Sequence, residues 1–551
     1  MAAKYRLSTL GCKVNQYESQ LIRQTLESFG LRPAARHETP DIAVVNTCAV
    51  TAAAERDNRR AVRRAADGGR TPVVVVGCGA SADPERLRNI PGVASLLGHN
   101  TNVVGELRKL LASRLQHLPA AADRETNDSD RTSAAAQLSA ATDASVMSDA
   151  GRPFSGAPAS QAHLHSNSII PSPLGAVKQG ACRDSPPVEG APFPGAAHPD
   201  ASPADLRELA EFANGAELLD QIRGFDGHQR AFLKVQDGCD AFCTYCIIPQ
   251  LRPTLRSKPS DVVAAEARSL VRAGHKEIIL TGIFLGAYGR DTAIRKRLHR
   301  QRSPLAELID VVSRVEGLQR LRISSLEPGD VDDSILEVLA SRSVCVPHLH
   351  LPLQAGSAEI LRRMNRQYTR DDYLAMIDRV RAALDKPALS TDMIVGFPGE
   401  TDSDFQASID IATYAGFCKI HAFPFSPRAK TAAAKWRHLL VPPPVVRERM
   451  AYLAQVESQC SLNFRRSLIG IRERIIIEGA DDVESPKQLL VAPRIVHGRS
   501  DRYFEVHVEA DGSLRTGDIV PVRIDRVTPT RTHGTCLSPV IRSISLPLLA
   551  S

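Results

Sequence analysis

The chain has 551 residues, enough for about three or four domains of ordinary size. Its 43% hydrophobic and 24% charged residues are those of a soluble globular protein, and no stretch approaches the roughly 20 apolar residues that a membrane span needs. A net charge of +7 and a pI near 8.8 are compatible with a nucleic-acid partner without establishing one. The opening MAAKYRLSTLGCKV carries neither an apolar run nor a cleavage-site pattern, so no signal peptide is read and the chain is expected to be cytoplasmic. Thiols stay reduced there, and the 11 cysteines need another explanation than disulfides.

Residues 1–112 alternate strand and helix signals. YRLSTL (5–10), DIAVVNT (41–47) and PVVVVG (72–77) read as strands, with helices expected from about Gln16 to Phe29 and from Ala52 to Ala66. The β-branched run PVVVVG has the signature of a strand buried on both faces, and the β-α-β-α-β order implies a parallel sheet flanked by helices. Residues 113–224 are rich in Ala, Ser, Pro and Asp and sparse in large apolar side chains. Such a segment cannot bury enough surface to offset chain entropy, and it is read as a disordered insertion.

From 225 to 455 the alternation returns. AFLKVQ (231–236), EIILTG (277–282), RLRISS (320–325), HLHLPL (348–353), LSTDMIVG (389–396) and KIHAFPF (419–425) read as strands, with helices such as 259–274 and 402–416 between them. Six βα units in succession predict an open or partial (βα) barrel whose ligands bind at the carboxyl ends of the strands. A polar helical stretch (445–470), its second half 456–470 acting as a connector, leads to residues 471–542. There RERIIIEG, DRYFEVHVE and IVPVRIDRVT alternate with period two, which predicts a small antiparallel barrel. The chain is thus expected to be α/β with a small C-terminal β-barrel.

Six cysteines are patterned. In CDAFCTYC, Cys239, Cys243 and Cys246 follow a strand and a DGC turn with C-x3-C-x2-C spacing. Protein iron–sulphur clusters usually have four cysteine ligands. Three thiolates on one short loop leave one iron of a cubane open for an exogenous ligand. In radical S-adenosylmethionine enzymes, that iron is chelated by the amino and carboxylate groups of the cofactor, and an electron from the cluster cleaves a C–S bond to give a 5′-deoxyadenosyl radical. A structural zinc site is the alternative, but it wants four closed ligands, and the nearest upstream histidine, His228, is not motif-spaced. Cys12, Cys48 and Cys78 each lie just after a predicted strand, in STLGCK, VVNTCA and VVVVGC. A parallel sheet carries all its strand carboxyl ends on one edge, so these thiols should meet on one rim and suit a second three-cysteine cluster. Cys182, Cys345, Cys418, Cys460 and Cys536 are isolated and read as buried core residues.

The sequence resembles the methylthiotransferases over residues 1–112 and about 225–540. The resemblance is carried by TLGCKVNQYES (9–19), VVNTCAVT (44–51), VQDGCDAFCTYCIIP (235–249), LTGIFLGAYG (280–289), RISSLEP (322–328), HLHLPLQAGS (348–357), RRMNRQYTRDDY (362–373), DMIVGFPGET (392–401) and HAFPFSPRAKTAA (421–433). The opening TLGCKVNQYES is most similar to the branch acting on N6-threonylcarbamoyladenosine of tRNA. Sister groups, acting on isopentenyladenosine or on a ribosomal protein, open more like YGCQMN and LGCPKN. The sequence departs from the family pattern at Arg252-Pro253, Phe284, Ala355, Lys430 and Gly79-Ala80-Ser81.

The resemblance implies an N-terminal methylthiotransferase domain, a radical S-adenosylmethionine core and a C-terminal RNA-binding barrel of the TRAM type. It also implies two 4Fe-4S clusters, one on Cys239, Cys243 and Cys246, and an auxiliary one on Cys12, Cys48 and Cys78 that presents sulphur. The family reaction puts a methylthio group at an unactivated aromatic C–H, here C2 of threonylcarbamoyladenosine next to the anticodon, with S-adenosylmethionine as source of both radical and methyl group. Tyr245 would lie near the cofactor's adenine. The Thr281-Gly282 backbone, Ser325, Glu327, Gln354 and the turn beginning at Gly396 are expected around the cofactor, although strand-end polar residues are often only caps or turns. The implied partners are tRNA, S-adenosylmethionine, an electron donor and a sulphur source, with no membrane. Arg56, Arg59, Arg60, Arg63 and Arg64 suit phosphate contact or a solvated helix face equally. His348 and His350 share a strand face and read as packed or pocket-lining. The alternatives are the same chemistry on another tRNA adenosine or a ribosomal protein, and a non-catalytic iron–sulphur RNA-binding protein.

Overall fold

A computed structural model describes residues 3–99, 102–115, 221–225, 227–294, 303–480, 494–510 and 514–537. The expected insertion at 113–224 falls almost wholly outside them, as does Cys182. Among the described residues no helix is long and apolar enough to cross a membrane.

The N-terminal sheet is parallel throughout. It comprises β1 (Lys4–Thr9), β2 (Arg32–Pro33), β3 (Ile42–Thr47), β4 (Val73–Gly77) and β5 (Val93–Leu97), in the order β2-β1-β3-β4-β5. Every residue of β3 and β4 is buried, because side chains of both faces meet helices. Val44, Val74 and Val76 pack under helices Lys13–Ser28 and Val103–Leu115, whereas Ala43, Val45, Val73 and Val75 pack under helix Ala52–Ala66. Period two along the strand produces this division. Strands β2 and β5 escaped the sequence reading, since a two-residue pairing and the weakly patterned VASLL lack a β-branched run. Strand order reverses between β1 and β3, the switch point at which parallel α/β sheets open a crevice beyond their carboxyl ends.

In the central part, β6 (Arg230–Asp237), β8 (Glu277–Gly282) and β9 (Arg320–Ile323) are parallel, with β7 (Arg256–Ser257) antiparallel on the outer edge of β6. β10 (His348–His350), β11 (Ala388–Val395) and β12 (Lys419–Pro424) form a second parallel set. A bridge between Leu321 and Cys345 and the bond from the Leu326 N–H to the His350 carbonyl join the two sets into a partial barrel of six parallel strands in chain order. HLHLPL yields only a three-residue strand. Pro352 has no N–H to give, and pairing resumes at the Gln354–Met393 bridge. Leu321 and Ile323 join the apolar core, and the alternation turns Arg320 and Arg322 to the barrel's other face.

The C-terminal strands β13 (Arg472–Ala480), β14 (Arg494–Ser500), β15 (Glu505–Ala510), β16 (Ile519–Val527) and β17 (Thr532–Cys536) close into a barrel in the order β13-β14-β15-β17-β16. Its pairs are antiparallel except β15 with β17, which is parallel. DRYFEVHVE is not one strand. Asp501–Phe504 forms the turn after β14, with Tyr503 in the left-handed region at φ 71°, and this turn holds the small barrel to the larger one. Arg320 donates to the Ser500 carbonyl at 2.7 Å, and Arg322 donates to the Asp501 carbonyl at 3.0 Å and pairs with Glu277 at 3.0 Å. The Tyr503 ring stacks on His348 at 4.7 Å between centroids. His348 and His350 both contact the Ser390 hydroxyl, the packed arrangement expected of them. Cys345 and Cys460 are buried, while Cys418 and Cys536 are half-buried.

Helix Lys13–Ser28 also packs on the central core. Lys258 and Glu266 form an ion pair at 2.6 Å with neither side chain more than 1% exposed, and the Tyr17 hydroxyl donates to the same carboxylate at 2.6 Å. Removing one partner of such a pair leaves a buried charge unmatched. Lys258→Met should therefore cost about 3–5 kcal/mol, read as a lower unfolding midpoint. The double variant Lys258→Met/Glu266→Gln should lose less.

Candidate active site

Both cysteine triads open on one cavity of about 480 Å³, lined by Cys12, Cys48 and Cys78 from the N-terminal sheet and by Cys239, Cys243 and Cys246 from the loop after β6. The rim geometry explains the first triad. Cys12 precedes helix Lys13–Ser28, Cys48 follows β3 directly, and Cys78 begins the short helix after β4. The glycine before the first cysteine of each triad is obligatory. Gly11 has φ 106°, and a Cβ there would stand 2.8 Å from the Cβ of Cys48. Gly238 has φ 83°, and a Cβ there would stand 1.9 Å from the Thr254 carbonyl oxygen.

Asparagines hold the first rim. Asn58 accepts from the Cys48 N–H at 3.1 Å and donates to its carbonyl at 2.6 Å. Asn15 donates to the Leu10 and Thr47 carbonyls, tying the loop of Cys12 to the end of β3. Around the second triad, the Ala241 and Ile248 N–H groups donate to the sulphurs of Cys239 and Cys246, each at 3.4 Å. Arg366 reaches the Cys243 sulphur at 3.2 Å and the Tyr245 hydroxyl at 3.3 Å, and it pairs closely with Glu327. Burial works against the Arg366 charge, but the Glu327 carboxylate outweighs it and holds the guanidinium protonated. Burial also pushes the Cys78 and Cys246 thiols up to about 12, and Cys48 and Cys239 in the same direction. Soft sulphur donors out of water, met by N–H groups and a guanidinium, fit iron–sulphur clusters whose sulphurs accept such bonds.

Of the residues expected around a cofactor, Tyr245, Gly282, Ser325, Glu327 and Gln354 line the cavity. Glu327 is engaged by Arg366, and Gln354 sits in the left-handed region at φ 63°. Gly282 is also a close-approach position, since a Cβ there would stand 2.9 Å from the Gln236 side-chain oxygen. Gly396 does not join them. Its N–H donates to Glu400, and its α-carbon faces Val446 of helix Pro443–Arg466. On helix Ala52–Ala66, Arg56, Arg60, Arg63 and Arg64 are exposed, while Arg59 is half-buried and pairs with Asp83 at 3.7 Å.

The sequence reading missed the charges beneath the cavity. Arg252, 2% exposed, pairs with Glu18 at 2.9 Å and Asp237 at 2.7 Å, and Lys234 pairs with the same two carboxylates at 2.8 Å. His99 lies 2.8 Å from Arg252 and 3.3 Å from the Cys78 sulphur. Burial and Arg252 pull its imidazole down to about 4, leaving it neutral. Lys13 and Asp392 also line the cavity. Lys13, Asn15 and Glu18 all lie in the TLGCKVNQYES segment, yet nothing in its spacing announces which of them meets the core.

Residues 233–412 match the model of the Radical SAM superfamily, and residues 4–98 match that of Uncharacterized protein family UPF0004. The chain is 30% identical to the threonylcarbamoyladenosine tRNA methylthiotransferase MtaB of Chlamydia pneumoniae, over 95% of this chain and 96% of that one. It is also 30% identical to the protein of the same name from Bacillus subtilis, over 94% and 92%. The tRNA-2-methylthio-N(6)-dimethylallyladenosine synthase of Mycobacterium ulcerans is 31% identical, over 96% of this chain and 82% of that one.

The ion cluster carries a pH signature. Burial raises the Glu18 carboxyl, but Arg252 and Lys234 outweigh it and hold it at about 2 against an ordinary 4.5. A folded pKa below the unfolded one stabilises the fold fully above about 4.5, and that contribution is lost as pH falls towards about 2. Glu18→Gln should be less stable than the parent at neutral pH. Its unfolding midpoint should also change less across that acid window, as acid-titrated denaturation would read.

Proposed function

Since this chain belongs to the tRNA methylthiotransferases, enzymes of radical S-adenosylmethionine chemistry, we propose that it methylthiolates C2 of N6-threonylcarbamoyladenosine next to the anticodon, with sulphur delivered at the N-terminal cysteine triad. The observation that carries this reading is the shared cavity, onto which three thiols from each of two separate sheets open. A binding protein has no need of two such triads face to face. The two relatives named for threonylcarbamoyladenosine, matched over nearly their whole length, favour that base over dimethylallyladenosine.

In this reading Cys239, Cys243 and Cys246 hold a 4Fe-4S cluster, and Cys12, Cys48 and Cys78 hold a second. When bound, these clusters and S-adenosylmethionine supply the one-electron chemistry and the sulphur. The chain's own residues supply position. The Arg366–Glu327 pair fixes the loop of Cys243 and keeps Tyr245 against it. Asn15 and Asn58 fix the facing rim. The apolar walls of Ile248, Ile283, Phe284 and Leu326 would keep solvent and mobile hydrogen-donating groups away from the reacting atoms. A loop nucleotide is the substrate such a cavity suits, because its base leaves the stack at low cost.

Two outcomes test the reading. Replacing Cys12, Cys48 and Cys78 together with Ala should remove about half of the iron, one cubane of two, abolish methylthiolation and leave reductive cleavage of S-adenosylmethionine. A triple variant that still methylthiolates tRNA would show that the role given to these thiols is wrong. Secondly, digested tRNA from a strain lacking the gene should have lost 2-methylthio-threonylcarbamoyladenosine and accumulated its precursor by mass spectrometry. An unchanged threonylcarbamoyladenosine profile, with loss of methylthio-isopentenyladenosine or of a ribosomal-protein modification, would sink the substrate assignment and leave the chemistry standing.

A further inference from the structure

Among the described residues, one cation on the wall of the cavity between the triads makes no direct ion pair. Lys13, the residue after Cys12, lines it and is half-buried. The charged and titratable groups facing Lys13 are Asp392, Arg322, Arg230 and the Tyr503 phenol. Each of these has a partner. Arg322 is held by Glu277 at 3.0 Å, Arg230 by Glu478 at 2.9 Å, and Asp392 by His350 at 3.2 Å. Arg230, Arg322 and Arg499 also approach the face of the Tyr503 ring, at 5.6, 4.9 and 5.3 Å. Lys13 itself has no hydrogen-bond or ion-pair partner among the described residues. The other cation on the cavity wall, Arg366, is spent on Glu327.

An ammonium in this position has surrendered part of its hydration and, among the described residues, makes no direct ion pair, the Asp392 carboxylate acting on it only through space. Such a group binds an incoming anion more strongly than an exposed lysine does, because the local dielectric is low and part of the desolvation has already been met. The proposed substrate offers one anion on its modified base, the carboxylate of the threonyl group. An isopentenyl group in the same place is neutral and apolar. Backbone phosphates belong at the mouth of a base-sized cavity rather than inside it. The cavity wall therefore carries the chemical complement of the one feature that separates these two substrates.

We propose that Lys13 is the specificity-determining residue of the site, its ammonium binding the carboxylate of the threonylcarbamoyl group while the adenine faces the two triads. This rests on the substrate reading above. Asp392, tied to His350, lines the same cavity and favours the charged form of Lys13 through space without pairing with it directly.

The test uses the reconstituted holoenzyme and three anticodon stem-loops that differ only at the target base. One carries threonylcarbamoyladenosine, one its neutral methyl amide and one isopentenyladenosine. Affinity is read by fluorescence anisotropy, and kcat/KM by methylthio product. The parent protein should prefer the carboxylate RNA to the amide RNA by about 10- to 100-fold, the range of one charge-assisted hydrogen bond. Lys13→Gln should lose that preference by weakening the carboxylate RNA alone, and Lys13→Arg should keep most of it. A Lys13→Gln protein that retains the preference overturns the inference. So does one that weakens all three RNAs equally, as a merely structural lysine would. Weaker S-adenosylmethionine binding with unchanged RNA affinities overturns it too, by assigning Lys13 to the cofactor's own carboxylate. If the parent fails to methylthiolate the carboxylate RNA at all, the substrate reading itself falls, and the inference with it.

Discussion

The buried guanidinium of Arg252 is the constraint on which the site depends. It lies six residues beyond Cys246 and pairs with Asp237, two residues before Cys239, so it closes the loop of the second triad on itself. The same group pairs with Glu18, six residues beyond Cys12, and approaches His99, which touches Cys78. One side chain thus connects the loops of both triads. Its charge is tolerable only because two carboxylates meet it out of water, and their mutual repulsion is offset in turn by Lys234. Loss of either acid would leave the guanidinium with a single carboxylate and weaken the tie that its charge makes between the two rims.

The facing of the rims follows from two parallel sheets. In each, all strand carboxyl ends point one way, so loops that carry chemistry gather on a single edge. Helix Lys13–Ser28 belongs to the first sheet and packs on the second through Tyr17, Lys258 and Glu266, which sets the distance between edges. The turn Asp501–Phe504 sets Tyr503 against His348 and beneath Arg322, so the small barrel contributes a polar group to the surroundings of Lys13. A shift of that barrel would be felt at Arg322 and then at Lys13.

Much of this was legible from residues alone. The buried run VVVVG, the alternating strands of the core and the helix Ala52–Ala66 stand where the pattern put them, because hydrophobic periodicity reports burial directly. The pattern failed where chemistry and burial part company. Pro352 truncated a strand that hydropathy extended, and DRYF alternates as a strand would yet forms a left-handed turn. Gly396, expected beside the cofactor from its motif, is also a close-packing position against a helix more than 40 residues away, a contact that no local pattern announces.

The sequence by itself determined the reactive groups. Three thiols within eight residues can only share one loop, and three thiols each placed after a parallel strand can only share one rim, so local spacing and register are enough to bring them together. Only the tertiary structure decided which charges accompany them. Glu18 and Arg252 are 234 residues apart, and Arg366 is 123 residues from the sulphur it touches. No periodicity encodes such pairings. They exist because packing removes the groups from water and leaves each charge to find whatever opposite charge the fold has brought within reach, and Lys13 is left, among the described residues, without a direct ion pair.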